Sequence, residues 1–516
     1  MKKILIVLAT VALLSSGCNK DFLDRNPLDQ LSTSSFWKSQ SDLDQALTAC
    51  YAKLKDGTYS THLPIWDNIT DNSYGQHTND FYNTKEIVTG NINSSNGGFE
   101  GTYNSAYSGI ARANIFLENL KSATISGLSD ATKKTYEAEA RMIRAHYYSY
   151  LYRLYGSVPL VDKPVDLETM NMAKSSAADI NKFMMDDIDF SIANLSAKTY
   201  QESGGHWTQG AAKAFKARML LYDAYDDSGN AIAQKMTDVK ALLSSITGYT
   251  IGGVDFSDNF LSHKQENCPE IMMSVKRLAP NDWTEADMVY GDWVAVSPLS
   301  NFISEFEFKD GTPGTIIPYI GNGLIDVTSF TNADLALRDS RLAKTVFIDK
   351  YFVNGVSYKP SNGRPTGAGL AKFLSTNVNL IPYDYATQSE QDWVLMRYAD
   401  VLLMLAEAEN EINGATATAY NAINSVRDRS GMPDLVAGLT KDQMRAKIRH
   451  ERRIELAFEG QRYFDLKRWK IAKQVLNAVV DGKLIYKFED KHYLWPLPQG
   501  EIDKSNGILI QNSDYK

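Results

Sequence analysis

Arg452-Arg453-Ile454-Glu455-Leu456-Ala457-Phe458-Glu459-Gly460-Gln461-Arg462-Tyr463-Phe464-Asp465-Leu466-Lys467-Arg468-Trp469 is the most distinctive stretch of the chain. Read as a helix, it sets Glu459 three residues from Arg462 and Asp465 three from Arg468, so ion pairs form along one face. Glu455 and Glu459 could be taken as an acid/base pair. Such a pair needs environments that drive the two pKa values apart, and neighbouring arginines neutralise both carboxylates instead. The stretch therefore reads as a salt-bridged helix that docks Phe458, Phe464 and Trp469 into a core.

Working outward, both flanks are helical. Residues 394–413 carry Leu395, Tyr398, Leu402 and Leu405 on one stripe and end at Gly414. Thr416 or Thr418 caps a second helix over 419–429, whose Ala422, Ile423 and Val426 face one way until Gly431 and Pro433. Two such helices on a short turn form an αα-hairpin, and alanines at the contacts allow close approach. No strict 34-residue period is visible, so any tetratricopeptide-type repeats are degenerate. Towards the N-terminus, helices are predicted over 41–54 with Ser41 as cap, 109–120, 132–155, 178–195 and 209–225. Residues 248–385 differ: Gly, Pro, Asn, Asp and aromatics surround short apolar pieces at 271–275 and 343–348, which read as brief strands between long loops.

The 516 residues are 43% apolar and 11% aromatic, which excludes a disordered chain. The formal charge of −8 gives no support to nucleic acid or an anionic membrane surface as partner. Met1-Lys2-Lys3 and the apolar run 4–14 form a secretory leader too short to span a bilayer. Leu14-Ser15-Ser16-Gly17-Cys18 resembles the lipobox of bacterial lipoproteins, with Ser15 where Leu is commoner. Residues 1–17 are thus read as a signal peptide, Cys18 as the lipidation site and 18–35 as a linker. Cys50 and Cys268 are the other cysteines; they either pair or remain separate buried thiols. The seven histidines are scattered and no CxxC occurs, so neither a metal site nor a cofactor is expected. Walker, Gly-x-Ser-x-Gly, Gly-x-Gly-x-x-Gly and His-Glu-x-x-His motifs are absent.

Ordered along the chain, Phe22-Leu23-Asp24, Phe36-Trp37, Tyr107-Ser108-Gly109-Ile110-Ala111-Arg112-Ala113-Asn114, Tyr155-Gly156-Ser157-Val158-Pro159, Arg397-Tyr398-Ala399-Asp400, the 452–469 stretch and Leu494-Trp495-Pro496-Leu497-Pro498 resemble the SusD/RagB family. These are surface glycan-binding lipoproteins of Bacteroidetes. The resemblance implies a mostly α fold, with degenerate tetratricopeptide-type pairs and a loop-rich binding face of short strands. It divides the chain into 36–247 and 248–516 (loop-rich over 248–385, helical over 394–480) within one integrated fold. It also implies a non-enzymatic role at the outer membrane: capturing an oligosaccharide for nutrient uptake by a SusC-like TonB-dependent transporter. A glycoside hydrolase, whose two carboxylates have no fixed spacing in sequence, and a structural surface lipoprotein are the alternatives.

The family pattern does not locate the sugar site, so chemistry has to choose. Sugars stack C–H faces on aromatic rings and bond hydroxyls to amides and carboxylates. Two loops combine rings with Asn and Asp: 66–82, with Tyr74 and Tyr82 beside Trp66 and His77, and 281–293, with Trp283, Tyr290 and Trp293 beside Asp282, Asp287 and Asp292. Tyr74, Tyr82, Trp283, Tyr290 and Trp293 are the candidate glycan contacts, weighed against the reading of these rings as core anchors. Trp207 is a weaker candidate.

Overall fold

The computed structural model describes residues 36–56, 60–77, 84–95, 97–317, 319–321, 323–361, 365–480 and 483–516. The expected leader 1–17, Cys18, the linker and Tyr82 lie outside the described residues.

Helices dominate. α1 (Gln40–Lys53) is capped by Ser39: its Oγ accepts from the Asp42 amide, and Asp42 accepts from the Ser39 amide. Ser41, the expected cap, lies inside the helix, and the acid three residues after it, Asp44, is engaged by the Tyr136 hydroxyl. α2 (Gly97–Ser122) starts well before residue 109, because Tyr103 and Ala106 extend the buried stripe of Ile110, Ala113 and Phe116. α3 (Asp130–Tyr155), α4 (Ala177–Asn194) and α5 (Gln209–Tyr222) follow the predicted periodicity. α6 (Ala233–Ser244), whose buried stripe is only Met236, Val239 and Leu243, was not predicted. α7 (Tyr398–Asn413), α8 (Ala417–Arg429, capped by Thr416), α9 (Lys441–Glu455) and α10 (Arg462–Arg468) follow, with shorter helical turns between and after them.

Successive helices stack. α1 packs on α2, α2 on α3, α3 on α4, α4 on α5 and α5 on α6, while α6, α8 and α9 all meet α7. Gly109 marks the closest approach: a Cβ there would stand 2.1 Å from the Tyr147 ring. Ala399, Ala406 and Ala422 sit in the small apolar cluster joining α7, α8 and α9, the hairpin contact predicted from the alanines.

Short antiparallel strands tie the loops together: β1 (Ser73–Gly75), β2 (Ile271–Val275), β3 (Val296–Pro298), β4 (Tyr319–Ile320), β5 (Leu324–Ile325), β6 (Val346–Ile348), β7 (Tyr351–Val353), β8 (Val356–Tyr358), β9 (Ala368–Leu370) and β10 (Trp393–Arg397). They pair as β1–β3, β2–β10, β4–β5, β6–β9 and β7–β8, with β3 also packed on β9. Two expectations are corrected. Residues 394–397 are a fully buried strand, because β2 offers them a partner, and the helix begins only at Tyr398. The piece 343–348 is a strand only from Val346; Ser340–Thr345 is helical, started by the Asp339 carboxylate accepting from the Arg341 amide.

The deciding stretch is also not one helix. α9 stops at Glu455, and the chain turns through left-handed Phe458 (φ 63°) and Gly460 (φ 71°) before α10. Glu459 and Arg462 therefore do not pair. Glu459 accepts from Arg397 and Lys372, while Arg462 reaches Asp71. The Asp465–Arg468 pair forms as predicted, at 2.8 Å. Phe458, Phe464 and Trp469 are buried, and the Lys372 ammonium donates to the turn carbonyl of Ala457 at 2.8 Å. Arg397 and Arg429 both bridge Glu270 and Glu455, and Arg341 joins Glu455 to Asp339 and Glu451. Burial pushes the Glu455 carboxyl up, but its arginines outweigh that and hold it well below the ordinary range. Against the same burial, Arg397 and Lys372 hold Glu459 below its ordinary range, so both glutamates serve the buried ion network. Cys50 and Cys268 are separate buried thiols.

Candidate functional site

The ion network has a positional consequence. Arg453 donates to the Asn72 side chain (2.8 Å) and the Asp71 carbonyl (3.0 Å), and Arg462 grips the Asp71 carboxylate with two bonds of 2.9 and 2.8 Å. This fixes the loop that enters β1. β1 pairs with β3, and beyond its end Gln76 donates to the Trp293 carbonyl at 3.0 Å. His77 follows with its ring centroid 5.5 Å from that of Trp293.

Trp293 ends a π-helical turn, Met288–Asp292. Such turns recur at functional sites. Gly291 is required within it: a Cβ there would lie 2.6 Å from the Tyr383 ring. The Asp292 carboxylate accepts from the Ser361 amide and hydroxyl, both at 2.8 Å, and also from the Tyr358 hydroxyl on β8. Burial and the adjacent carboxylate push the Tyr358 phenol up. Tyr383 packs edge-on against Tyr358 at 5.3 Å and donates to the Ser375 carbonyl at 2.9 Å. That holds the loop from which Tyr385 projects, 70% exposed, with its ring edge-on to Trp293 at 5.7 Å. The result is a cleft of about 620 Å³ that contains His77, Trp293, Tyr385, Lys359 and Asp384. Its volume suits a ligand of a few rings, and it pairs aromatic faces with a few polar groups.

Of the residues singled out from sequence, Trp293 lines this cleft. Tyr74 is half-buried on β1 with the Lys483 ammonium 5.5 Å from its ring centroid, and does not line it. Tyr290 is fully buried: its hydroxyl donates to the Thr61 carbonyl and its ring tilts against Trp393, so it offers no face to a sugar. Trp283 is half-buried outside the cleft, next to an Asp282 held by Lys55 and Arg277. Trp66 and Trp207 are core anchors, Trp66 stacked on Trp495 at 5.7 Å. Sequence reasoning missed Tyr358, Tyr383 and Tyr385. Pro382-Tyr383-Asp384-Tyr385 has the same mixture of rings and acids as the chosen loops, and that composition was the available signal.

The comparisons with known proteins agree along nearly the whole chain. A family model described as "SusD family" matches residues 264–515, and one described as "Starch-binding associating with outer membrane" matches residues 21–221. A SusD-like protein of Bacteroides ovatus is 24% identical over 485 residues, covering 91% of this chain and 83% of the relative. Among solved structures, a SusD-like protein from Bacteroides fragilis superposes with a TM-score of 0.74 at 25% identity, covering 95% of this chain and 100% of that one. A SusD-like carbohydrate binding protein from the same organism gives 0.75 at 24% identity, over 92% and 99% of the two chains. Two successive family-model matches, relatives aligned over most of the chain and a shared helical fold with short strands lead to one conclusion: the chain belongs to the SusD/RagB family.

Proposed function

We propose that the protein binds an oligosaccharide without cleaving it and presents it to a separate SusC-like TonB-dependent transporter in the outer membrane. The observation that carries this reading is the corner made by Trp293 and Tyr385, with His77 behind it, in a cleft edged by Lys359 and Asp384. Rings set edge to face present two walls to the C–H surfaces of a sugar, and the polar rim can bond its hydroxyls. The carbohydrate binding named for a structural relative supports the same ligand class. Tyr74, on the loop that delivers His77, and Tyr82 remain proposed contacts for a longer glycan; Trp283 falls outside the cleft.

A hydrolase needs two carboxylates free to serve as acid and base. Of the two in the cleft, Asp292 is already engaged by Tyr358 and Ser361, which supports binding rather than hydrolysis. We further propose that Cys18 is lipidated and holds the protein at the outer face of the outer membrane; the family description supports association with that membrane.

The test is a glycan array on the purified protein, followed by reducing-end detection on each hit. Selective capture of one glycan class with no new reducing ends is expected. Sustained product release, abolished by Asp384→Asn, would establish the hydrolase instead.

A further inference from the structure

The segment 375–391 lines two cavities. Its middle, 382–385, belongs to the aromatic cleft. Its ends, Ser375–Asn377 with Leu380 and Gln388 with Glu390–Gln391, meet Leu261, Ser262, His263 and Asp287 around a second cavity of about 290 Å³. At its wall Gln391 is 2% exposed. Its amide nitrogen donates to the Phe373 carbonyl at 2.6 Å and to the Asp287 carboxylate at 3.2 Å, which fixes the orientation of the amide. Turning the amide over would set its oxygen against two acceptors. Gln391 Oε1 is then a buried acceptor with no partner among the described residues. Buried polar atoms of this kind require a donor.

The surroundings narrow what supplies that donor. Asp287 is fully buried and accepts from the Ser375 amide at 2.6 Å, the Ser389 hydroxyl at 2.8 Å and Gln391. With its lone pairs occupied, it is poorly placed to ligate a hard cation, which needs several oxygens directly. The remaining lining mixes donors and acceptors (Ser262, His263, Thr376 and Asn377), with the Glu390 and Gln388 side chains at the rim and the half-buried Leu261 and Leu380 as apolar contacts. Hydroxyl donors on a carbon ring match that set. We propose that this cavity is a second saccharide subsite, which takes one neutral sugar unit and satisfies Gln391 Oε1 with a sugar hydroxyl. The proposal rests on the glycan-binding reading of the cleft. Because the two cavities share one short segment, a single glycan held at both would gain affinity by effective concentration alone.

Gln391 also braces Asp287, so the test plugs the cavity from residues whose side chains carry no such duty. Ser262→Trp and Thr376→Trp fill it from opposite elements, and thermal melts confirm folding of each. With the cleft intact, either plug should weaken binding of a long array-selected oligosaccharide at least ~10-fold and leave the shortest cleft-filling fragment unchanged. With the cleft disabled by Trp293→Ala, saturation-transfer NMR with glucose, galactose and mannose should still report contact, lost on adding either plug. Crystals soaked in the same sugars should place a hydroxyl within hydrogen-bond reach of Gln391 Oε1. Wild-type affinity in both plugged proteins, or only water or a cation beside Gln391 in soaked crystals, overturns the subsite. Equal binding by wild type and Trp293→Ala overturns the cleft reading instead, while a sugar at Gln391 in the soak would support the subsite by itself.

Discussion

A ring that stands in water before its ligand arrives can be removed without cost to the fold, and a ring sealed in the core cannot. Tyr385, 70% exposed, is of the first kind and Tyr290, fully buried, of the second, although both lie in loops rich in acids. Tyr385→Ala should therefore weaken oligosaccharide binding about tenfold or more, roughly 1.4 kcal/mol, with an unchanged thermal melt. Tyr290→Ala removes core packing and strands the Thr61 carbonyl, so stability should fall by about 3–5 kcal/mol, with near wild-type affinity in the fraction that stays folded. Trp283→Ala should leave affinity unchanged, since the residue lies outside the cleft. Calorimetric titration and a melt on each variant separate the three. A Tyr385→Ala protein that binds as tightly as wild type would remove the aromatic corner from the site.

Among the elements, α7 shows how buried charge is made tolerable. It carries Asp400 and Glu407, both inside the molecule. Burial pushes the Glu407 carboxyl up, but the Arg468 guanidinium against it outweighs that and holds it down at about 2; Arg218 and Arg452 likewise hold Asp400 well below its ordinary range. A folded value below the unfolded one means that the stabilisation is fully present above the ordinary pKa of 4.5 and is lost as pH falls towards 2. Melting temperature should drop steeply across that window. Glu407→Gln should flatten the drop, yet start lower at neutral pH by about 3 kcal/mol, because buried Arg468 then keeps only one of its two carboxylate partners, Asp465. An unchanged acid slope in this variant would show that the pair does not set it. The same element explains what was legible. The stripe of α7 was readable from Tyr398 onward because period 3.6 is written in the residues themselves. Its predicted start was wrong because Trp393–Arg397 is claimed by β2, more than a hundred residues away in sequence. The break at Phe458 was hidden for the same reason: Lys372 and Arg397, both distant in sequence, capture the turn. In the site, composition could flag Trp293 but could not tell it from Tyr290 three residues earlier, since a π-turn decides which of the two faces the cleft.

At the scale of the whole molecule, the question is how a captured glycan reaches the cell interior. None of the described helices is long and apolar enough to cross a membrane; the proposed scheme assigns the route through the bilayer to the separate SusC-like transporter. The net charge of −8 gives no electrostatic hold on an anionic surface. Attachment in the proposed scheme then rests on acyl chains at Cys18, and one chain alone binds membranes only marginally while two bind stably. Trp37, nineteen residues after Cys18, packs edge-on against Phe116 of α2 at 6.0 Å. Loss of the anchor should therefore change location and partner without changing the fold or the cleft. Cys18→Ala should leave the outer-membrane fraction and appear in soluble form, with wild-type glycan affinity and an unchanged melt. Mild detergent extracts of cells making the native chain should yield a SusC-like TonB-dependent transporter on pull-down. The Cys18→Ala protein, deprived of confinement to the membrane plane, should recover less of it. Recovery of the native chain alone, with the transporter present in the same extract, would count against the partnership. A Cys18→Ala protein that still requires detergent would count against the anchor.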